Sequence, residues 1–134
     1  MRAVVAVGSC FLGSNLSEAL LRRGDSVCCL GDFSSGRAQN VGHLLRTPGF
    51  ECVSCDVTAR LRVVGEVDAV VHLASPASPY DYQRMPLQTL AAGSRGTENP
   101  LRPALRHQAR VVLPPPSEVY GAPRGHPQPG APRG

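Results

Sequence analysis

Residues Val4 to Leu16 read VVAVGSCFLGSNL. An apolar run ends at Gly8, a short turn leads to Gly13, and apolar residues then recur at helical spacing. A strand that is apolar along its whole length needs cover on both faces, so this stretch commits the chain to a βα unit. Later segments repeat the plan. Leu12, Leu16, Ala19, Leu20 and Arg23 form a helical stripe that Gly24 closes as a C-cap. SVCCLGDF is a second strand ending at Gly31-Asp32, and SSGRAQNVGHLL is a loop entering a short helix. FECVSCDV is a third strand, and VDAVVHLAS, Val67 to Ser75, a fourth. RVVL, Arg110 to Leu113, begins a fifth that must stop there, because Pro114, Pro115 and Pro116 cannot donate to a sheet ladder. Strands alternating with helices predict an α/β fold built on a parallel sheet of about five strands.

Between Tyr80 and Ala109 the pattern is helical but carries Pro100 and Pro103. An interior proline costs about 3 kcal/mol and removes a backbone donor, so the helix is expected to break there or to kink near Asn99. The stretch GAPRGHPQPGAPRG, residues 121–134, has no aliphatic side chain larger than alanine and is expected to be a disordered Gly/Pro-rich tail. That leaves 1–120 as the folded part of a 134-residue chain, which has length for one domain.

The formal charge of +4 is the balance of fourteen basic residues, all arginine, against ten acidic ones. They are scattered, with no stripe that alternates with aromatics, which speaks against nucleic acid as a partner. No lysine occurs in these residues, so a mechanism that needs a lysine ammonium has none here. No apolar run is long enough to cross a bilayer, and the N-terminal pattern is that of a strand, so a cytoplasmic protein is expected. Among the five cysteines, Cys52 and Cys55 have the spacing of a metal or redox pair. On a strand that spacing sends the side chains to opposite faces, and buried free thiols are expected with no metal bound. His72 ends a buried strand with no second ligand placed beside it, which favours packing or hydrogen bonding.

Four stretches, GSCFLGSNL, DFSSGRAQNV, HLASPASPYDY and SEVYG followed by HPQP, carry a family resemblance. The chain resembles the N-terminal part of the extended short-chain dehydrogenases/reductases, the NAD-dependent epimerase/dehydratase family. The last two stretches resemble the UDP-glucuronic acid decarboxylase branch in particular. The resemblance implies a truncated, doubly wound Rossmann-like domain over residues 1–120 with NAD as cofactor. Family glycines align with Val7, Gly8, Cys10 and Gly13, of which Gly8 and Gly13 are kept. The middle glycine lets the backbone approach the pyrophosphate, and Cys10 adds a Cβ and a sulfur there. The amides of Phe11 and Leu12 are expected to face a phosphate from the helix N-terminus. The acid that grips the adenosine ribose aligns with Gly31, and Asp32 follows one place later. Ser35 and Gly36 match the phosphate-side loop, Asp56 and Val57 the adenine contacts, and Leu73 and Ser75 the nicotinamide ribose.

Members of that branch oxidise a sugar C4 hydroxyl with NAD, lose the C6 carboxylate and return the hydride. The oxidation uses a tyrosine made acidic by a lysine one helical turn away. This pair has no counterpart here, and Tyr120 aligns with the tyrosine of EVYG instead. A sugar-binding threonine aligns with Pro116, and a substrate-side lysine with Ala91. Ser117 and Glu118 match residues of the decarboxylation step, and Asn99 matches a substrate contact. Three readings follow: a catalytically incomplete decarboxylase relative, a nucleotide-binding module that pairs with itself or a full-length relative through the helix of Met85 to His107, or an inactive relic.

Overall fold

A computed structural model describes residues 1–33, 36–59, 61, 63–74, 78–114, 121 and 127, with the side chain of Asp81 excepted. The elements run β1 (Arg2–Ala6), α1 (Phe11–Arg22), β2 (Ser26–Gly31), α2 (Ala38–Gly42), β3 (Phe50–Ser54), β4 (Ala69–His72), α3 (Pro79–Arg84), α4 (Pro86–Gly93), α5 (Arg95–His107) and β5 (Arg110–Val112). The five strands form one sheet in the order β3-β2-β1-β4-β5, every pair parallel. β1 is central, and its residues Ala3 to Ala6 are fully buried, as an apolar strand covered on both faces must be. The expected tail at 121–134 lies outside the described residues apart from Gly121 and Pro127.

Each face of the sheet has its own core. On one, Val4, Cys28, Leu30 and Val70 pack with Ala104 of α5. On the other, Ala3, Val5, Val27 and Ala69 pack with Leu20 of α1, and Cys29 packs with Val41 and Leu44 at α2. Cys52 joins the α2 face and Cys55 the α5 face, so the CxxC pair is split across the sheet as its spacing predicts. All five cysteines are free; Cys28 and Cys29 are buried, whereas Cys10, Cys52 and Cys55 are partly exposed. Burial pushes the Cys28 thiol up to about 11 and raises Cys29 as well.

Two expectations are corrected. α1 does not bury the stripe that includes Leu12 and Ala19, both exposed; it buries Gly13, Ser14, Ser17 and Leu20. Small residues face the sheet because the helix starts almost in contact with the turn after β1. The second correction concerns α5, which runs unbroken through Pro100 and Pro103. The interruption falls earlier, at Ser94, where α4 gives way to α5. Gly96, Pro100 and Ala104 lie four apart on the buried face, and their packing holds the helix together despite the two missing donors.

Candidate nucleotide site

The carboxyl ends of β1 to β4 point to one edge, and β1 lies between strands reached by chain excursions of opposite direction. Such a switch point opens a crevice in an α/β sheet. At its centre is the turn after β1. Val7 has φ 59°, a left-handed conformation that a β-branched residue rarely adopts. The resemblance puts a glycine at this position, and the Val7 N–H donates to Leu30 O at 2.6 Å. Gly8 is buried against the sulfur of Cys29. At Gly13 an added Cβ would lie 2.5 Å from Gly8 Cα and 2.6 Å from Val7 O, so only glycine lets α1 start this close to the strand.

Cys10 is the N-cap of α1. Its Sγ accepts the Gly13 N–H at 3.3 Å, and its carbonyl accepts the Ser14 N–H at 2.9 Å. The sulfur is thereby turned onto the helix end. Among the described residues the N–H groups of Phe11 and Leu12 have no acceptor, which leaves two donors at the positive end of a twelve-residue helix. Ser9 Oγ is buried and has no hydrogen-bond partner among the described residues.

The segment after β2 is docked on this turn. Ser9 O accepts from Arg37 N at 3.4 Å and from Asn40 Nδ2 at 2.8 Å. A Cβ at Gly36 would fall 2.4 Å from Ser9 Oγ, so Gly36 is where the two loops touch. Gly31 has more room: the nearest atoms to an added Cβ are Val7 Cα at 3.6 Å and Ser9 Oγ at 3.8 Å, ordinary contact distances. Asp32 follows it, exposed.

After β3, Asp56 Oδ1 accepts from Thr58 N at 2.7 Å and Thr58 Oγ1 at 2.8 Å. This turn carries Val57 inward, where it packs with Ala6, Val7 and Ala74. That cluster gathers the ends of β1, β3 and β4 into one place. Leu73, half-buried, packs on the α1-side core instead, and its N–H donates to Ala6 O at 3.2 Å. Ser35, Ser75, Ser117 and Glu118 lie outside the described residues.

His72 is 4 % exposed. Thr97 Oγ1 donates to Gly93 O at 3.0 Å and accepts from His72 Nε2–H at 3.1 Å. Nδ1 is therefore the bare nitrogen, buried with no partner among the described residues, and burial lowers the imidazole pKa. His72 is a hydrogen-bonded core residue. Asn99 Nδ2 donates to Val57 O at 2.9 Å and Ala59 O at 2.7 Å, so its amide hydrogens serve the chain itself. Sequence reasoning missed Asn40, Thr97 and the cap at Cys10. Only the cap had a local signal, a small polarisable side chain three residues before Gly13.

The sequence pattern of the NAD dependent epimerase/dehydratase family matches residues 3–132. Over 128 residues the chain is 43% identical to UDP-glucuronic acid decarboxylase 1 of Arabidopsis thaliana, covering 96% of this chain and 29% of that protein. The fold superposes on a solved UDP-galactose 4-epimerase with TM-score 0.81 and 29% identity, over 98% of this chain and 44% of that one. It also superposes on UDP-glucose-4-epimerase from Stenotrophomonas maltophila, solved with bound NAD and formylated UDP-arabinopyranose. There the TM-score is 0.81 and the identity 24%, over 96% of this chain and 40% of that one. The chain spans less than a third of the length of the Arabidopsis protein.

Proposed function

Since this chain belongs to the NAD dependent epimerase/dehydratase family, we propose that it is the nucleotide-binding portion of a UDP-glucuronate decarboxylase-like protein and holds NAD along the carboxyl edge of its sheet. The observation that carries this reading is the meeting of the glycine turn, the Asp56–Val57 turn and Ala74 in one cluster, beside two helix-end donors without an acceptor among the described residues. The donor set fits the cofactor. The Phe11 and Leu12 amides suit a diphosphate, with Gly8 and Gly13 keeping the turn shallow and Cys10 capping the helix. Asp56 and Val57 receive the adenine, Asp32 and Gly36 flank the adenosine side, and Leu73 borders the nicotinamide ribose. Ser35 and Ser75 belong to the same proposed set. NAD, when bound, supplies the hydride acceptor.

Turnover is a separate matter. The 134 residues include no lysine, and Pro116 stands at the threonine position of the resemblance with no donor to offer a sugar hydroxyl. Acid–base catalysis by a tyrosine–lysine pair contributes roughly 10²–10⁴-fold. We therefore expect these residues by themselves to bind nucleotide and leave UDP-glucuronate unchanged, the decarboxylation step that the resemblance gives to Ser117 and Glu118 lacking an oxidised substrate. A cytoplasmic location and pairing with a second copy or a full-length relative belong to the same reading.

Calorimetric titration with NAD, run beside UDP-glucuronate incubation followed by mass spectrometry, tests both parts. Saturable heat without UDP-xylose is the expected result. Absence of NAD binding contradicts the cofactor assignment, and UDP-xylose from the purified chain contradicts the catalytic one.

A further inference from the structure

α5 reaches two strand ends that are distant in sequence. Asn99 sends its Nδ2 hydrogens to Val57 O and Ala59 O, alternate carbonyls of the turn after β3. Two residues earlier Thr97 accepts from His72 at the end of β4. Between helix and turn the packing is tight: a Cβ at Gly96 would touch Val57 Cγ2 at 3.4 Å and Thr58 Cγ2 at 3.8 Å. Pro100, fully buried next to Asn99, fixes its own backbone angle and stiffens this part of the helix.

Val57 packs the turn onto Ala6, Val7 and Ala74, and among the described residues Asn99 is the side chain outside the turn that hydrogen-bonds its carbonyls. Its last backbone hydrogen bond to the sheet, among the described residues, is from Cys55 N–H to Gly31 O at 3.0 Å. Beyond that, Asp56 binds Thr58 and Ala59 N–H donates to Asp56 O at 3.0 Å, bonds internal to the turn. Internal bonds set its curvature but not its position over the sheet. Val57's packing seats one point of it, and Asn99 fixes its orientation, because one nitrogen fastens two carbonyls to a rigid helix.

We propose that Asn99 is a positioning residue for the adenosine side of the bound nucleotide, acting through the Asp56–Ala59 turn. The inference rests on the NAD reading above and differs from the substrate contact that the family resemblance assigns to Asn99. The mechanism is geometric: a site residue on a turn keeps its aim only while the groups behind it are fixed, and a shift of about 1 Å is enough to weaken it. AMP and NAD depend on this turn. Nicotinamide mononucleotide, which would lie at the end of β4, does not.

The test uses the whole chain with Asn99→Asp and Asn99→Gln. At about pH 8 the aspartate is ionised, keeps the size of asparagine and presents acceptors to two carbonyls. AMP and NAD affinities are expected to fall about tenfold in N99D, with nicotinamide mononucleotide affinity unchanged. Hydrogen exchange at the Thr58 and Ala59 amides should quicken while β1 and β2 stay protected. Asn99→Gln, which retains the donors, should recover most of the loss. Equal AMP binding by wild type and N99D, or loss of protection throughout the sheet, overturns the proposal. A wild-type chain that binds no adenine nucleotide contradicts the cofactor reading instead, and the exchange at Thr58 then still decides whether Asn99 holds the turn.

Discussion

At Val7 the chain keeps a backbone shape suited to glycine with a side chain that disfavours it. Left-handed φ costs a non-glycine residue about 1–3 kcal/mol, which offsets most of what the half-buried isopropyl group contributes by packing. Val7→Gly should therefore hold the unfolding free energy within about 1 kcal/mol of wild type in urea titration. A loss above about 2 kcal/mol would mean that the turn is not strained. His72 gives a pH signature. Its pKa is depressed by burial, so the unfolded chain binds the proton more readily than the folded one. Its contribution is fully present above the ordinary histidine value, about 6.5, and is lost as pH falls through the depressed value. The urea midpoint should drop between pH 7.5 and 5, and His72→Gln, which can still donate to Thr97, should shrink that drop. An identical drop in the variant would rule out His72 as its source.

Among the elements, α5 departs furthest from its sequence. Pro103 is in the helix interior and denies Asn99 O its usual intrahelical donor. Pro103→Ala should raise stability by about 1–2 kcal/mol, part of the helix gain being returned through the looser unfolded chain. An unchanged or lower midpoint would show that the helix does not continue past Asn99. Three strands were legible because Ala3 to Val7, Val27 to Leu30 and Ala69 to Val71 are apolar runs, a pattern that buried parallel strands require. The helices were less so. Proline cost is a local quantity, whereas the burial of Gly96, Pro100 and Ala104 against the sheet is tertiary and decided the outcome. At the site, Gly8 and Gly13 were readable from their spacing to β1, and Asp56 from its place after β3. Asn40 was not, and Asn99 was marked only as a substrate contact by the resemblance; the bonds both make span 31 to 42 residues, and no local pattern marks such bonds.

On the scale of the whole molecule, several large apolar side chains are exposed among the described residues. α4 buries none of its residues, and Leu87, Leu90 and Leu105 are 76%, 69% and 84% exposed. β5, at one edge of the sheet, has all three residues exposed. Surfaces of this kind associate, so sedimentation should show a mass that rises with protein concentration, and Leu90→Glu with Leu105→Glu should hold the chain as a monomer. A monomer at all concentrations would leave these side chains without a role in pairing. The opposite side of the account is the carboxyl edge of the sheet, where the resemblance places an acid at Gly31 and the structure leaves room for one. Calorimetric titration of NAD into wild type and Gly31→Asp tests that edge most directly. A carboxylate there, hydrogen-bonding a ribose, should tighten NAD about tenfold over a weak wild-type affinity. Two flat titrations, or a Gly31→Asp variant that stays folded and binds no better than wild type, would contradict the assignment of this crevice to a dinucleotide.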